Sequence, residues 1–367
     1  MRILWFTWKD RKNPLAGGAE FINEALASCL VKDGHEVIFI VAGFREGSRE
    51  EIKDGYKIIR VGNKWSVYFQ AYRYYKKNLK GWADLIIEEI NTIPFMTQLY
   101  TKERKVLIVY QLCREIWFYQ MFFPLNVIGY MIEPLYLWLL RKNTVVTISL
   151  STKNEIITYG FTPRNISVIP IGIELEAVKD LRSIKKYSHF TILSLGAIRE
   201  MKKTLHQIET FEIAKKQVPE TQLKIAGNDY DHHYINKVLK LIQNSPYRKD
   251  IAYLGKVDKK KKIELIQKSH CIIVTSVKEG WGLIVTEANS QGTPAISYDV
   301  DGLRDSVKNK FTGLLCQENT PQNLAKNIIK LYRNKALYKK LQMNAWQWSK
   351  EMTFDRSYQE FLKIIAP

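Results

Sequence analysis

FTILSLGAIREMKK, residues Phe190–Lys203, decides how this chain folds. Phe190–Leu195 is a short run of apolar and β-branched side chains, which reads as a buried strand. It ends in Gly196 and passes into a basic turn, Ala197-Ile198-Arg199-Glu200-Met201-Lys202-Lys203. A first strand with a glycine turn opens a nucleotide-type α/β sheet, yet this one stands near the middle of a 367-residue chain. The same arrangement occurs at the amino end. There Arg2–Thr7 reads as a strand, and a loop ending in Ala16-Gly17-Gly18-Ala19-Glu20 leads into an amphipathic run that stops at Gly34. The chain starts its βα rhythm twice, so the expected fold is α/β with two Rossmann-like domains.

Further strands are expected in the first half at Glu36–Val41, Lys57–Val61, Asp84–Ile87, Val106–Tyr110, Val145–Ile148 and Ser167–Ile169. The second half continues with Gln222–Ala226, Ile251–Leu254, Cys271–Thr275 and Pro294–Ser297. The intervening segments are longer and amphipathic, the mark of crossover helices between parallel strands. IPIGIELEAVKDLRSIKKYSH, from Ile169, reads as the inter-domain linker. The expected boundaries are therefore 1–170, 171–345, and a tail 346–367 that returns to the first domain as a helix carrying aromatic residues.

Composition narrows the function. At 46% hydrophobic the chain can bury two cores, which excludes a disordered or fibrous protein. The formal net charge of +19 calls for an anionic partner: nucleic acid, a membrane surface or a phosphorylated small molecule. No helix-turn-helix, RNP or zinc pattern supports nucleic acid. Cys29, Cys113, Cys271 and Cys316 lie far apart, as in a reducing cytosol rather than in a disulfide framework. No targeting peptide is visible, and the long uncharged stretch Ile116–Ile132 is interrupted by Gln120, Pro124, Asn126 and Gly129, so no spanning helix is expected.

Chemistry concentrates in the turns. Gly17 and Gly18 at a helix start let backbone amides approach an anion where the helix dipole is positive; an ordinary tight turn would look the same. Arg199 offers a planar fork for phosphate oxygens and Lys202 a point charge, against the alternative of a solvated basic loop. After Cys271–Thr275 comes Glu279-Gly280-Trp281-Gly282-Leu283-Ile284-Val285-Thr286-Glu287. A helix expected from about Leu283 would turn Glu287 back toward the loop holding Glu279. Two carboxylates facing one crevice suit recognition of sugar and ribose hydroxyls. The plainer alternative is that Glu287 only complements a helix N-terminus.

EGWGLIVTEANSQGTPAISYDVDGLRDSV, together with the glycine loop, DLIIEEINTIPF, QLCREIWFY, SVIPIGIE and LKIAG in that order, resembles retaining glycosyltransferase family 4 over nearly the whole length. The spaced glutamates with the following GTPAIS carry most of that resemblance. It implies the GT-B fold, with two parallel sheets facing an inter-domain cleft. It also implies transfer of a sugar from a nucleotide-diphosphate donor to a saccharide or lipid-linked acceptor, with no metal or other cofactor. By resemblance Glu279 binds donor-sugar hydroxyls and Glu287 the ribose, while the amides of Trp281 to Ile284, beside Gly280 and Gly282, meet sugar and phosphates. Gly17 and Gly18 admit the diphosphate, and Lys202, six residues after Gly196, stabilises it as it leaves. Three positions depart from the family pattern. Ala197 stands where an arginine is usual, with Arg199 as its substitute; Tyr110 occupies the usual active-site histidine; and Asp301-Gly302 with Asp305 replaces Gly-Gly and Glu. These departures motivate the alternative of a GT-B sugar-nucleotide epimerase or a non-catalytic nucleotide-sugar-binding protein.

Asp229-Tyr230-Asp231, with His232 and His233, and Asp299-Val300-Asp301 have metal-ligand spacing, but loop acids of this kind are commonly just hydrated. Trp65–Lys80 and Ile116–Lys142 interleave aromatics with basic residues. They read either as core helices with snorkelling lysines or as a face meeting anionic lipid, which would make the protein cytoplasmic and peripheral at the inner membrane face. The run Lys259–Lys262 is expected to be a solvated helix face.

Overall fold

The computed structural model describes residues 1–228 and 231–366. The chain forms two compact units, Met1–Gly172 with Thr353–Pro367, and Ile173–Met352. The described residues of the first unit build an eight-stranded sheet from β1 (Arg2–Phe6), β2 (Glu36–Ala42), β3 (Glu50–Lys53), β4 (Tyr56–Val61), β5 (Leu85–Glu89), β6 (Arg104–Ile108), β7 (Thr144–Thr147) and β8 (Ile166–Val168). Its order is β3-β4-β2-β1-β5-β6-β7-β8. The described second unit holds six parallel strands: β9 (Thr191–Leu195), β10 (Gln222–Ala226), β11 (Ile251–Gly255), β12 (Cys271–Val274), β13 (Ala295–Ser297) and β14 (Gly313–Leu315). They are ordered β11-β10-β9-β12-β13-β14.

Both sheets are sandwiched by helices, so the central strands are apolar on both faces: Leu4, Phe6, Ile192, Leu193, Ile272 and Ile273 are all buried. Two strands escape the expected list. β3 is an antiparallel edge strand, EEIK, whose Ile52 is exposed and whose charges guard a free edge. It joins β4 through Asp54-Gly55, both at positive φ, a two-residue hairpin turn. β14 is only three residues long.

The expected linker is shorter in the fold. The chain crosses between units at Gly172, and the residues after it belong to the second unit. Val178 donates its amide to the Ser290 carbonyl, and the Lys186 amine reaches the Ser269 carbonyl and the Thr293 hydroxyl, each at 2.8 Å. Burial pulls that amine down to about 7. The tail returns at Thr353 rather than at 346, because Trp346 donates its indole to the Val178 carbonyl at 2.7 Å and so stays with the second unit. The helix Phe354–Ile365 packs on the first unit, with Phe361 stacked on Trp5 and the Tyr358 hydroxyl on Asp33.

Candidate functional site

In the second unit the strand order reverses direction between β9 and β12. The loops leaving the carboxyl ends of those two strands stand at the position where open parallel sheets take ligands, in the crevice that such a reversal creates. Lys202 arrives from β9 and Glu279 from β12. Their side chains meet, the Lys202 amine donating to Oε1 of Glu279, and Ser276 Oγ donates to the same oxygen at 2.5 Å. Burial pushes the Glu279 carboxyl up. The charge and hydrogen bond of Lys202, the Ser276 hydroxyl and the Arg199 charge outweigh it, holding the carboxyl below the usual range.

The backbone fixes this pair. Thr275 Oγ1 donates to the Lys202 carbonyl at 2.7 Å and accepts from Gln207 Nε2 at 2.9 Å. Val277 bonds its amide to the Met201 carbonyl. Upstream, Gly196 adopts φ +141° and packs against Gly227 so closely that a Cβ on Gly227 would lie 1.6 Å from the Gly196 oxygen. Arg199 is exposed on the turn that this contact shapes. On the other side Glu279 donates its amide to the Asp301 carbonyl, and a Cβ on Gly302 would stand 2.2 Å from the Glu279 oxygen. The Asp301-Gly302 departure therefore preserves the one glycine this packing requires.

Gly280 and Trp281 lead to Gly282, at φ +87°, and Leu283 and Ile284 begin the helix Leu283–Ser290. The first-turn amides and the dipole of that helix give this end a positive character. Trp281 donates its indole to Thr286 Oγ1 at 3.3 Å. Glu287 does not pair with the Glu279 cluster. Its Oε1 accepts from Lys262 at 2.7 Å, and burial, opposed by Lys262, raises its carboxyl. Lys262 thus corrects the reading of Lys259–Lys262 as a merely solvated face: Lys262 binds Glu287, and Lys259 pairs with Glu174 at 3.2 Å. No local signal marks it, since its partner lies on another helix.

Asp299 and Asp301 both accept from Arg304, at 2.7 and 2.9 Å. Asp229 and Tyr230 lie outside the described residues, and Asp231 caps the helix His232–Asn244 through the Tyr234 amide. Among the described residues, no group of three or more His, Cys, Asp or Glu side chains is placed to hold a metal.

The first sheet reverses between β1 and β5. Here Glu89, at the carboxyl end of β5, is buried and accepts from Thr7 Oγ1 at 2.6 Å and from Asn23 Nδ2 at 2.5 Å. The Tyr110 hydroxyl points inward and donates to Asn23 Oδ1 at 2.6 Å. Gly17 donates its amide to Glu20 Oε2 at 2.6 Å, and Lys9 pairs with Glu20 at 3.3 Å. Gly18 opens the helix Gly18–Lys32. Neither positive φ nor a tight neighbour demands glycine at Gly17, whose hypothetical Cβ meets only Glu20, at 3.8 Å. The legible signal for Glu89 was an acidic pair, Glu88-Glu89, closing an otherwise apolar strand.

Burial, with the nearby Glu20 charge, raises Glu89 to about 7. A carboxyl held up in the folded chain stays protonated there while the unfolded chain ionises. Folding stability therefore falls as pH climbs from the ordinary carboxylate value through the raised one. Thermal melts between about pH 5 and about pH 8 should show a steeper decline for the wild type than for Glu89→Gln. Parallel curves would mean that Glu89 titrates normally.

A family described as glycosyl transferases group 1 matches residues 180–348, and one described as glycosyltransferase family 4 matches residues 16–177. A poly(glycerol-phosphate) alpha-glucosyltransferase of Bacillus subtilis is 29% identical over 197 residues, 53% of this chain and 27% of that protein, so the chain spans about a quarter of that relative's length. Sucrose-phosphate synthase from Thermosynechococcus elongatus superposes with a TM-score of 0.80 at 17% identity, covering 99% of this chain and 98% of that one. Anabaena HepE, solved with UDP and glucose, superposes with a TM-score of 0.74 at 14% identity, over 100% and 99% of the two chains. These likenesses give the two-domain GT-B fold.

Proposed function

As the chain belongs to the group 1 glycosyltransferases of family 4, we propose that it moves a sugar, with retention at the anomeric carbon, from a nucleotide-diphosphate donor to a saccharide or lipid-linked acceptor. The observation that carries this reading is the Lys202–Glu279 pair at the strand-order reversal of the second sheet, beside the helix start at Leu283. The difficult step is separation of an anionic diphosphate from an oxocarbenium-like sugar. Lys202 and Arg199, with the amides of Trp281 to Ile284, place positive charge where that diphosphate forms, an electrostatic effect in place before reaction. Glu279, ionised by its surroundings, accepts from the sugar hydroxyls, and Glu287 from the ribose. In the first unit the same reading assigns Gly17 and Gly18 to the diphosphate, and Tyr110 to the catalytic position of the usual histidine, with its hydroxyl bonded to Asn23, which in turn bonds Glu89.

The C–O bond from sugar to diphosphate breaks as the acceptor oxygen bonds to the anomeric carbon. The departing phosphate oxygen takes the acceptor's proton, so no protein nucleophile is required. The positive charge is supplied by Lys202 and Arg199, while Asp299 and Asp301 are occupied by Arg304, so the reading needs no metal. A lipid-linked acceptor would be met at the cytoplasmic face of an anionic membrane.

A thermal-shift screen with uridine and guanosine diphosphate sugars tests the donor, since a ligand of the native state raises Tm by mass action. With the best donor, Glu287→Gln should weaken nucleoside diphosphate binding about 10- to 100-fold, the cost of losing a charged hydrogen-bond acceptor. Release of nucleoside diphosphate should depend on acceptor. Donor binding without any release would instead favour the non-catalytic reading.

A further inference from the structure

The helix Leu125–Leu140 is apolar on both sides. Its inner side holds Tyr136, Leu137 and Leu140, together with Glu133, the only charged residue in the helix. Glu133 is buried because the preceding turn needs an acceptor: the amides of Cys113 and Arg114, each at 2.7 Å, and the Trp117 indole at 2.9 Å all donate to it. Its outer side exposes Met131, Leu135 and Trp138, and just before it Phe122 and Phe123 are 70% and 77% exposed. An ordinary surface helix carries polar groups there. The core-helix reading of this segment is thus corrected for its outer half.

The apolar face has a basic border. The Arg141 guanidinium lies 3.9 Å over the Trp138 ring, followed by Lys142. The Gln98 side chain, next to exposed Leu99, bonds the Leu139 carbonyl, and Tyr100 packs edge-on against Tyr72. The helix Val67–Tyr74 of the same unit repeats the pattern: Arg73 lies over exposed Phe69 and Lys76 over Tyr72. Residues 64–80 contain five cations and no acid.

We propose that this face of the first unit is a docking surface for an anionic lipid bilayer, with Phe122 and Phe123 entering the interface and the helix Leu125–Leu140 lying in its plane. The helix cannot span: 16 residues rise about 24 Å, against about 30 Å of hydrocarbon, and no helix among the described residues is long and apolar enough to cross. Cations bordering an apolar face match anionic headgroups above acyl chains, whereas a second copy would bring like charges together. The inference rests on the transfer reading only for its purpose, presenting a lipid-linked acceptor. Binding itself is measured without turnover.

The test is flotation of the full chain with vesicles of phosphatidylcholine alone or with added phosphatidylglycerol. The protein should float with the anionic vesicles and bind about tenfold or more weakly to the neutral ones or in high salt. Phe122→Ser with Phe123→Ser should weaken binding about tenfold, leaving Tm and acceptor-dependent nucleoside diphosphate release from a soluble acceptor unchanged. No flotation, or equal flotation of the double variant, overturns the proposal. So does a dimer in solution that the same substitutions dissolve. Vesicle binding without sugar transfer would sink the transfer reading and leave this surface standing.

Discussion

Lys202→Ala is expected to lower kcat for sugar transfer by about 10²–10³-fold, the usual cost of removing one preorganised group from a developing oxyanion. The amine does two jobs at one position. It places charge beside the crevice, and it holds Glu279 ionised against the burial that would protonate it. Without it Ser276 and Arg199 remain as opponents of that burial, and the carboxyl rises. The residual turnover should therefore lose activity on the acid side at a higher pH than wild type does. Stability should fall as well, because the pair is largely buried, with 22% of the Lys202 and 16% of the Glu279 side chain exposed, and losing one partner of a buried pair costs up to about 3–5 kcal/mol. Steady-state rates of nucleoside diphosphate release across pH, with a melt of each protein, check both halves. Wild-type kcat in the variant would remove Lys202 from the mechanism.

Gly227→Ala is expected to be the most damaging small substitution in the second unit. Its Cβ would sit 1.6 Å from the Gly196 carbonyl oxygen and 2.6 Å from the carbonyl carbon. Both neighbours are backbone, so no side chain can swing aside. The strands must part, and with them go the bonds from Gly196 to the Ala226 carbonyl and from Ile198 to the Asn228 carbonyl. A loss of about 3 kcal/mol or more follows, about 6–12 °C in Tm for a unit of this size. The turn that launches Arg199 and Lys202 shifts too, so donor affinity should fall with stability. Gly17→Ala is the control, since the space there accepts a methyl group and the change should cost under about 1 kcal/mol. Equal melts for wild type and Gly227→Ala would show that the close approach is not a feature of the folded chain.

Much of the architecture was legible. Parallel strands flanked by helices appear as uninterrupted apolar runs, and Phe190–Leu195 before Gly196 marked the restart as clearly as any boundary residue. β3 escaped because an edge strand has one neighbour and needs little apolar surface: with three charged residues and only Ile52 apolar, EEIK looks like loop, although the Asp54-Gly55 turn was present to be read. The linker was overestimated for a related reason. A charged segment such as KDLRSIKK looks solvated, yet the stem of Lys186 can be buried once backbone carbonyls receive its amine.

The site divides the same way. Glycine turns after first strands, a helix starting at Leu283 and the two spaced glutamates follow from local rules: side-chain period, permitted φ and the missing Cβ. Those rules act over a few residues, and they named the positions. Tertiary structure alone chose the partners: Lys202 for Glu279 across 77 residues, Lys262 for Glu287 across 25, and Asn23 for Tyr110 across 87. The order of strands in each sheet brings distant loops to one edge, and the ionisation of a buried carboxyl is then set by whichever charge the fold places beside it.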